Sequence, residues 1–161
     1  MTITFVGLKS PLQLDAVVQQ CCPGNEMWKM IVETEQEMDQ FRNTMGDAES
    51  EDIAYEIMDG TKVLGLIQYC YSKGSFFTKD KIVINLLTLV EYDPDVVREI
   101  HRALVQKYDL SGELIQTLTE AEENTPIHHR LNELGFEEKR NHYRHPKYGF
   151  NGGTLYFVKK V

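Results

Sequence analysis

No apolar run in this sequence is long enough to cross a membrane. The longest strongly apolar stretch, residues 82–90, carries Asn85, and a spanning helix needs about 20 predominantly apolar residues. No basic-then-apolar leader opens the chain. These absences argue against a membrane span and a secretory route, and the cytoplasm is the expected location. Cysteine is scarce and badly arranged for pairing. Cys21 and Cys22 are adjacent, Cys70 makes the count odd, and no CxxC occurs. A disulfide framework or a zinc site is therefore not expected, and a reducing compartment fits. Basic side chains are outnumbered, 17 against 25 acidic, for a formal net charge of −8. Such a surface repels a phosphate backbone, which excludes general nucleic-acid binding. Internal repeats and low-complexity linkers are missing too, so residues 1–161 are read as a single domain.

What is present is a run of well-punctuated elements. Residues 2–8 alternate Ile3 and Phe5 with Thr2 and Thr4, which predicts a strand. Ser10, Pro11 and Gln13 spell a capping box with proline at the first helical position, and Leu14, Val17, Val18 and Cys21 form that helix's apolar face. Pro23-Gly24 ends it. Asn25 caps a longer helix whose face is read as Met27, Met30, Ile31, Thr34, Met38, Phe41 and Met45, stopped by Gly46. Strands 53–58 and 62–72 flank Asp59-Gly60, a hairpin signal. Residues 81–90 are nearly continuously apolar and predict a central strand.

Asp93-Pro94 opens a third helix, with Val97, Ile100, Leu104 and Tyr108 inward. Gly112 precedes a strand at 113–119. Thr125-Pro126 starts a short helix that buries Ile127, Leu131 and Leu134 and ends at Gly135-Phe136. Strands 136–144 and 154–160 close the chain. The order is β α α β β β α β α β β. Hairpins mixed with crossover helices predict an α/β (α+β) domain with a mixed sheet of about seven strands. Residues 81–90 should lie centrally, with 113–119 parallel beside them. Ile84, Leu86, Leu104, Leu131, Leu134 and Phe136 should share the core.

This order, together with three local features, resembles the GNAT N-acetyltransferases over essentially the whole chain. The features are the hairpin glycine in Lys62-Val63-Leu64-Gly65, Asn124 followed by Gly135-Phe136, and the long closing strands. The resemblance implies the GNAT-like fold and acetyl transfer from acetyl-CoA to an amine of a small molecule or a protein. It implies that the pantetheine arm pairs with the strand end at Leu89 and Val90. The pyrophosphate would lie at the start of the third helix, near Val96, Val97, Arg98 and Arg102, with Asn124 at a strand exit.

Two departures stand out. The family's pyrophosphate loop has the pattern Arg/Gln-x-x-Gly-x-Gly/Ala, and its glycines let phosphate approach the helix N–H groups. Here the stretch from Asp93 to Ala103 has no glycine, and Asp93, Asp95 and Glu99 put negative charge where the pyrophosphate would land. Acetyl-CoA should therefore bind weakly or by an unusual site. The family also often places a tyrosine seven residues after the asparagine to protonate the departing thiolate, and Leu131 stands there.

Glu91 at the end of the central strand is a candidate general base, or else a solvated carboxylate. His128, beside His129 on the fourth helix, is a candidate acid or base, or else a surface histidine. Arg98 and Arg102 either face phosphate or pair with Asp95 and Glu99. His142 and His145 point to opposite faces of a predicted strand, so no metal site is expected. Residues 139–150 join Lys139, Arg140, Arg144 and Lys147 with Tyr143, Tyr148 and Phe150, an anion-binding edge or a homodimer contact, or else a solvated hairpin edge protected by charge. Two functions remain open: an acyl-CoA-dependent N-acyltransferase, or a catalytically lapsed GNAT domain that binds a ligand or partner.

Overall fold

A computed structural model describes residues 1–45, 52–118, 126–140, 148 and 155–160. Its strand order is β1-β2-β3-β4-β5-β7-β6. The strands are β1 (Ile3–Leu8), β2 (Ala54–Asp59), β3 (Lys62–Ser72), β4 (Asp80–Leu89), β5 (Gly112–Leu118), β6 (Glu137–Arg140) and β7 (Leu155–Lys160). The helices are α1 (Pro11–Cys21), α2 (Glu26–Met45), α3 (Pro94–Lys107) and α4 (Pro126–Glu133). The strand at 81–90 is thus the fourth of the order and runs parallel to β5. The predicted strand 136–144 is β6 over its first residues, and 141–147 lie outside the described residues. By backbone contacts the chain divides into two compact units.

The first unit holds Thr2–Gln68 and Leu87–Val90. Its local structure follows from side-chain chemistry. Ser10 Oγ accepts the Gln13 amide at 3.1 Å and Gln13 Oε1 accepts the Ser10 amide at 3.4 Å, so the capping box starts α1. The β2–β3 turn is Gly60-Thr61, one residue later than the Asp59-Gly60 reading, because Asp59 already pairs with Lys62. Gly60 at φ +60 supplies the positive φ that the first turn position needs. Leu64 is an extra residue in β3, where the register shifts between Ile57 and Met58.

Helix α2 corrects the predicted face. The buried stripe is Trp28, Ile31, Val32 and Glu35. Met27, Met30, Thr34 and Met38 are not part of it, and Phe41 is 69% exposed. Trp28 sets the rotation: it is fully buried and its indole donates to Thr88 Oγ1 at 2.8 Å. A buried Trp seeks a partner for its N–H, and that requirement outweighs a stripe of flexible methionines.

The second unit holds Tyr69–Leu86 and the described part of Glu91–Val161. α3 buries Val96, Val97, Ile100, His101 and Leu104. α4 ends in a Schellman turn. Phe136 N–H donates to Leu131 O, Gly135 N–H donates to Asn132 O, and Gly135 has φ +85. Ile84, Leu86, Leu104, Leu131 and Phe136 are all buried, as expected. Leu134 is the exception: it is only half-buried, because the turn at Gly135 swings the chain away from the helical face that Leu131 occupies.

Leu131 is completely buried, so Leu131→Ala should cost about 2–5 kcal/mol of stability in urea unfolding. A loss below about 1 kcal/mol would mean that Leu131 lines an open site.

Candidate functional site

The parallel ladder between β4 and β5 runs from Asp80↔Gly112 to Ile84↔Gln116 and stops there. Both strands continue, and β5 stays paired with β7 through Leu118. At the stop, Thr117 Oγ1 lies 2.9 Å from Ile84 O and 2.9 Å from Asn85 O. Successive carbonyls of a flat strand point to opposite edges. One hydroxyl reaching two of them requires β4 to kink between Ile84 and Asn85, with a single proton shared between the two oxygens. The burial pattern breaks phase at the same step, with Ile82, Ile84 and then Asn85 and Leu86 all buried. Thr117 therefore stands where backbone pairing between β4 and β5 ends and offers its hydroxyl to two successive β4 carbonyls.

The start of α3 lies in the same unit and is electrostatically full. Asp93 Oδ1 accepts the Asp95 amide at 3.0 Å, and Asp93 O accepts the amides of Val96 at 3.0 Å and Val97 at 3.4 Å. Pro94 has no N–H. The first donors of the helix are thus taken by Asp93. Asp95 gathers two guanidiniums: Arg98 Nη2 at 3.3 Å and Arg130 Nη2 at 3.5 Å. Arg130 also binds Glu133 at 2.9 Å, and its Nε is buried with no hydrogen-bond partner among the described residues. Tyr92 Oη donates to Pro126 O at 2.8 Å, tying the turn before α3 to the first residue of α4. Burial, then Glu133 and Asp93, push the Tyr92 phenol up, with Arg130 opposing, so it stays protonated near neutral pH.

The other candidates fall as follows. Val96 and Val97 are buried, with their amides turned to Asp93. Arg102 pairs with Glu99 at 3.0 Å. Glu91 is exposed on the turn after β4. His128 is buried rather than at the surface; its Nε2 is 3.7 Å from Glu138 Oε2, and its ring stacks on exposed His129. In the first unit, the Val90 amide donates to Leu64 O at 2.9 Å, which leaves the peptide groups of Leu89 on the opposite edge of the strand. Asn124 lies outside the described residues, as does most of 139–150. Among the described residues no group of acidic, His or Cys side chains is arranged to hold a metal, and no helix is long and apolar enough to cross a membrane.

Sequence reasoning missed Thr117, Tyr92 and Arg130. Thr117 carries a weak signal, a polar residue beside Gln116 in an otherwise apolar strand. Arg130 reads as one half of a surface pair with Glu133, and nothing local shows that it reaches Asp95.

No family model matches the sequence, and no curated protein is similar to it. Solved structures do share the fold. An acetyltransferase from Thermus thermophilus superposes with a TM-score of 0.58 at 12% identity, over 100% of this chain and 98% of that one. The Campylobacter jejuni N-acetyltransferase PseH in complex with acetyl coenzyme A gives 0.51 at 10%, over 99% of each chain. The Bacillus subtilis N-acetyltransferase YlbP in complex with coenzyme A gives 0.54 at 9%, over 99% and 97%. The chain has the GNAT N-acetyltransferase fold.

If Thr117 holds the kink, Thr117→Val keeps the shape and removes the donor. The donor that Ile84 O and Asn85 O share is then gone, and urea unfolding should show a loss of about 1–3 kcal/mol. A neutral result would mean that the kink is held by something else.

Proposed function

We propose that this chain is an acyl-CoA-dependent N-acyltransferase that moves an acetyl group from acetyl-CoA to an amine of a small molecule or a protein. The observation that carries the reading is the end of the β4–β5 ladder at Thr117. Where two parallel strands stop pairing, a strand keeps backbone groups that an extended amide-containing chain such as pantetheine can pair with. In the transfer, the amine attacks the thioester carbonyl, the C–N bond forms, the C–S bond breaks, the amine gives up a proton and the thiolate takes one.

Glu91 and Tyr92 are the residues assigned to proton movement. Glu91, solvated on the turn, would take the amine proton through water. Tyr92 presents a protonated phenol at the start of α4, the helix on which Leu131 leaves no acid. His128, held by Glu138 inside the unit, is read as a positioning element.

The start of α3 makes the binding weak. Asp93 occupies the helix donors, so the anion must be met by Arg98 and Arg130, and Asp95 competes for both. That filled N-terminus also favours a second reading, a GNAT-fold domain that no longer turns over and binds a ligand or partner.

A thermal melt with acetyl-CoA separates the two. Ligand at about a hundredfold its dissociation constant stabilises by about 2.7 kcal/mol. The expected result is a modest shift at millimolar ligand that Asp95→Asn enlarges and Arg130→Ala abolishes. No shift at several millimolar removes the acyltransferase reading, and a large shift at micromolar ligand shows that the α3 start is no obstacle. In an acetyl-transfer assay, Tyr92→Phe should lower kcat by about a hundredfold or more with little change in KM.

A further inference from the structure

The loop between β3 and β4 carries two adjacent phenylalanines pointed at solvent. Phe76 is 95% exposed and Phe77 is 90% exposed, and their rings meet edge-to-face at 5.2 Å. An isolated exposed apolar side chain is ordinary, whereas a contiguous pair at a loop tip needs a reason.

The loop is built to hold them there. Ser75 N–H donates to Thr78 Oγ1 at 3.0 Å, the Ser75 and Thr78 hydroxyls are 3.0 Å apart, and Phe77 N–H donates to Ser75 Oγ at 3.3 Å. At the base, the Asp80 carboxylate accepts the Gly74 amide. The chain closes so tightly that a Cβ on Gly74 would strike the Thr78 carbonyl. The backbone donors of Gly74, Ser75 and Phe77 are thus satisfied inside the loop. A protein partner could supply such hydrogen bonds itself. An acyl-chain boundary cannot, and it accepts only backbone whose polar groups are already paired.

The surroundings have a matching order. At the strand end that leads into the loop, half-buried Tyr71 stacks on half-buried Tyr108 at 4.5 Å, and buried Tyr69 bonds Tyr108 through their hydroxyls at 2.8 Å. Lys73, Lys79 and Lys81 are exposed on and beside the loop, and Lys107 reaches Tyr69 Oη at 3.3 Å. Asp80 is engaged in the loop base, and Asp109 is an exposed acid at this end. Four lysines stand against three acids, Asp80, Asp109 and Glu113, the last directly across from Lys81, so this end carries a slight basic excess on a chain of net charge −8. An exposed phenylalanine tip, flanking lysines and the half-buried Tyr71–Tyr108 pair at its base are features that seat a protein in the headgroup region of an anionic bilayer. Screening over about 8 Å at physiological salt keeps the distant acidic surface from cancelling it.

We infer that the loop carrying Phe76 and Phe77 is a peripheral anchor that inserts into the surface of an anionic lipid bilayer. The anchor would be a surface contact that needs no spanning helix, and it is independent of acetyl transfer.

The test is co-sedimentation of the full chain with phosphatidylcholine vesicles, with and without phosphatidylserine. Binding should require phosphatidylserine, weaken with added salt, fall at least about tenfold in the Phe76→Ser/Phe77→Ser double variant, and fall about fivefold in Lys79→Gln. These side chains are exposed, so an unchanged melting temperature confirms that the variants fold. Trp28 is buried, so in Phe76→Trp a blue shift of emission on adding anionic vesicles reports insertion of the tip itself. The inference is overturned if wild type and the double variant sediment alike. It is equally overturned if the wild type forms a lipid-independent dimer that the double variant loses, which would make the loop a protein–protein contact.

Discussion

Where the ladder between β4 and β5 ends, two successive carbonyls of β4, Ile84 and Asn85, come within reach of one side chain. The Thr117 hydroxyl meets both at 2.9 Å. One side chain thereby solves two problems: it satisfies backbone that parallel pairing no longer serves, and it fixes the step at which β4 leaves β5. Everything proposed for the site depends on that step, because strands paired to their ends offer a ligand no backbone groups. A serine could supply the same hydroxyl. Threonine adds a methyl and a stiffer χ1, which hold the oxygen in place in a strand.

The start of α3 shows the opposite arrangement. A helix N-terminus has donors that must be met, and a phosphate is one way to meet them. Here Asp93 meets them within the chain, and Asp95 takes up Arg98 and Arg130. These are exposed or half-exposed pairs of the kind worth about 0–1 kcal/mol each. Under the proposed function, a pyrophosphate would displace Asp95 from its arginines at little cost and would still work against the negative charge of Asp93. Weak affinity and intact architecture are therefore compatible.

Much of the fold is legible in the sequence because its punctuation is local. The Ser10-Pro11-Gln13 cap, the Asp93-Pro94 start and the Gly135-Phe136 stop each act within one turn of backbone. The rotation of α2 is not legible. Met27, Met30 and Met38 make as good a periodic stripe as Trp28, Ile31 and Val32, and only the Thr88 hydroxyl, sixty residues away, decides for Trp28. The same holds at the candidate site. Arg98 and Arg102 stand out in the sequence because their partners lie one turn along the same helix. Arg130 does not, because its link to Asp95 spans thirty-five residues. Phe76 and Phe77 are in the same position: sequence alone cannot separate a buried pair from a displayed one.

By itself the sequence determined the kinds and order of the elements, the central place of β4, the filled N-terminus of α3 and the absence of glycine from Asp93 to Ala103. Each of these is set by residue chemistry within a few positions, where propensity, capping and charge act without long-range help. The tertiary structure alone decided which face of α2 is buried, that His128 lies inward against Glu138, that Thr117 ends the ladder, and that Arg130 joins Arg98 on Asp95. These depend on groups far apart in the chain arriving within about 3 Å of one another, and hydrogen bonds weaken too steeply with distance and angle for periodicity to foretell them.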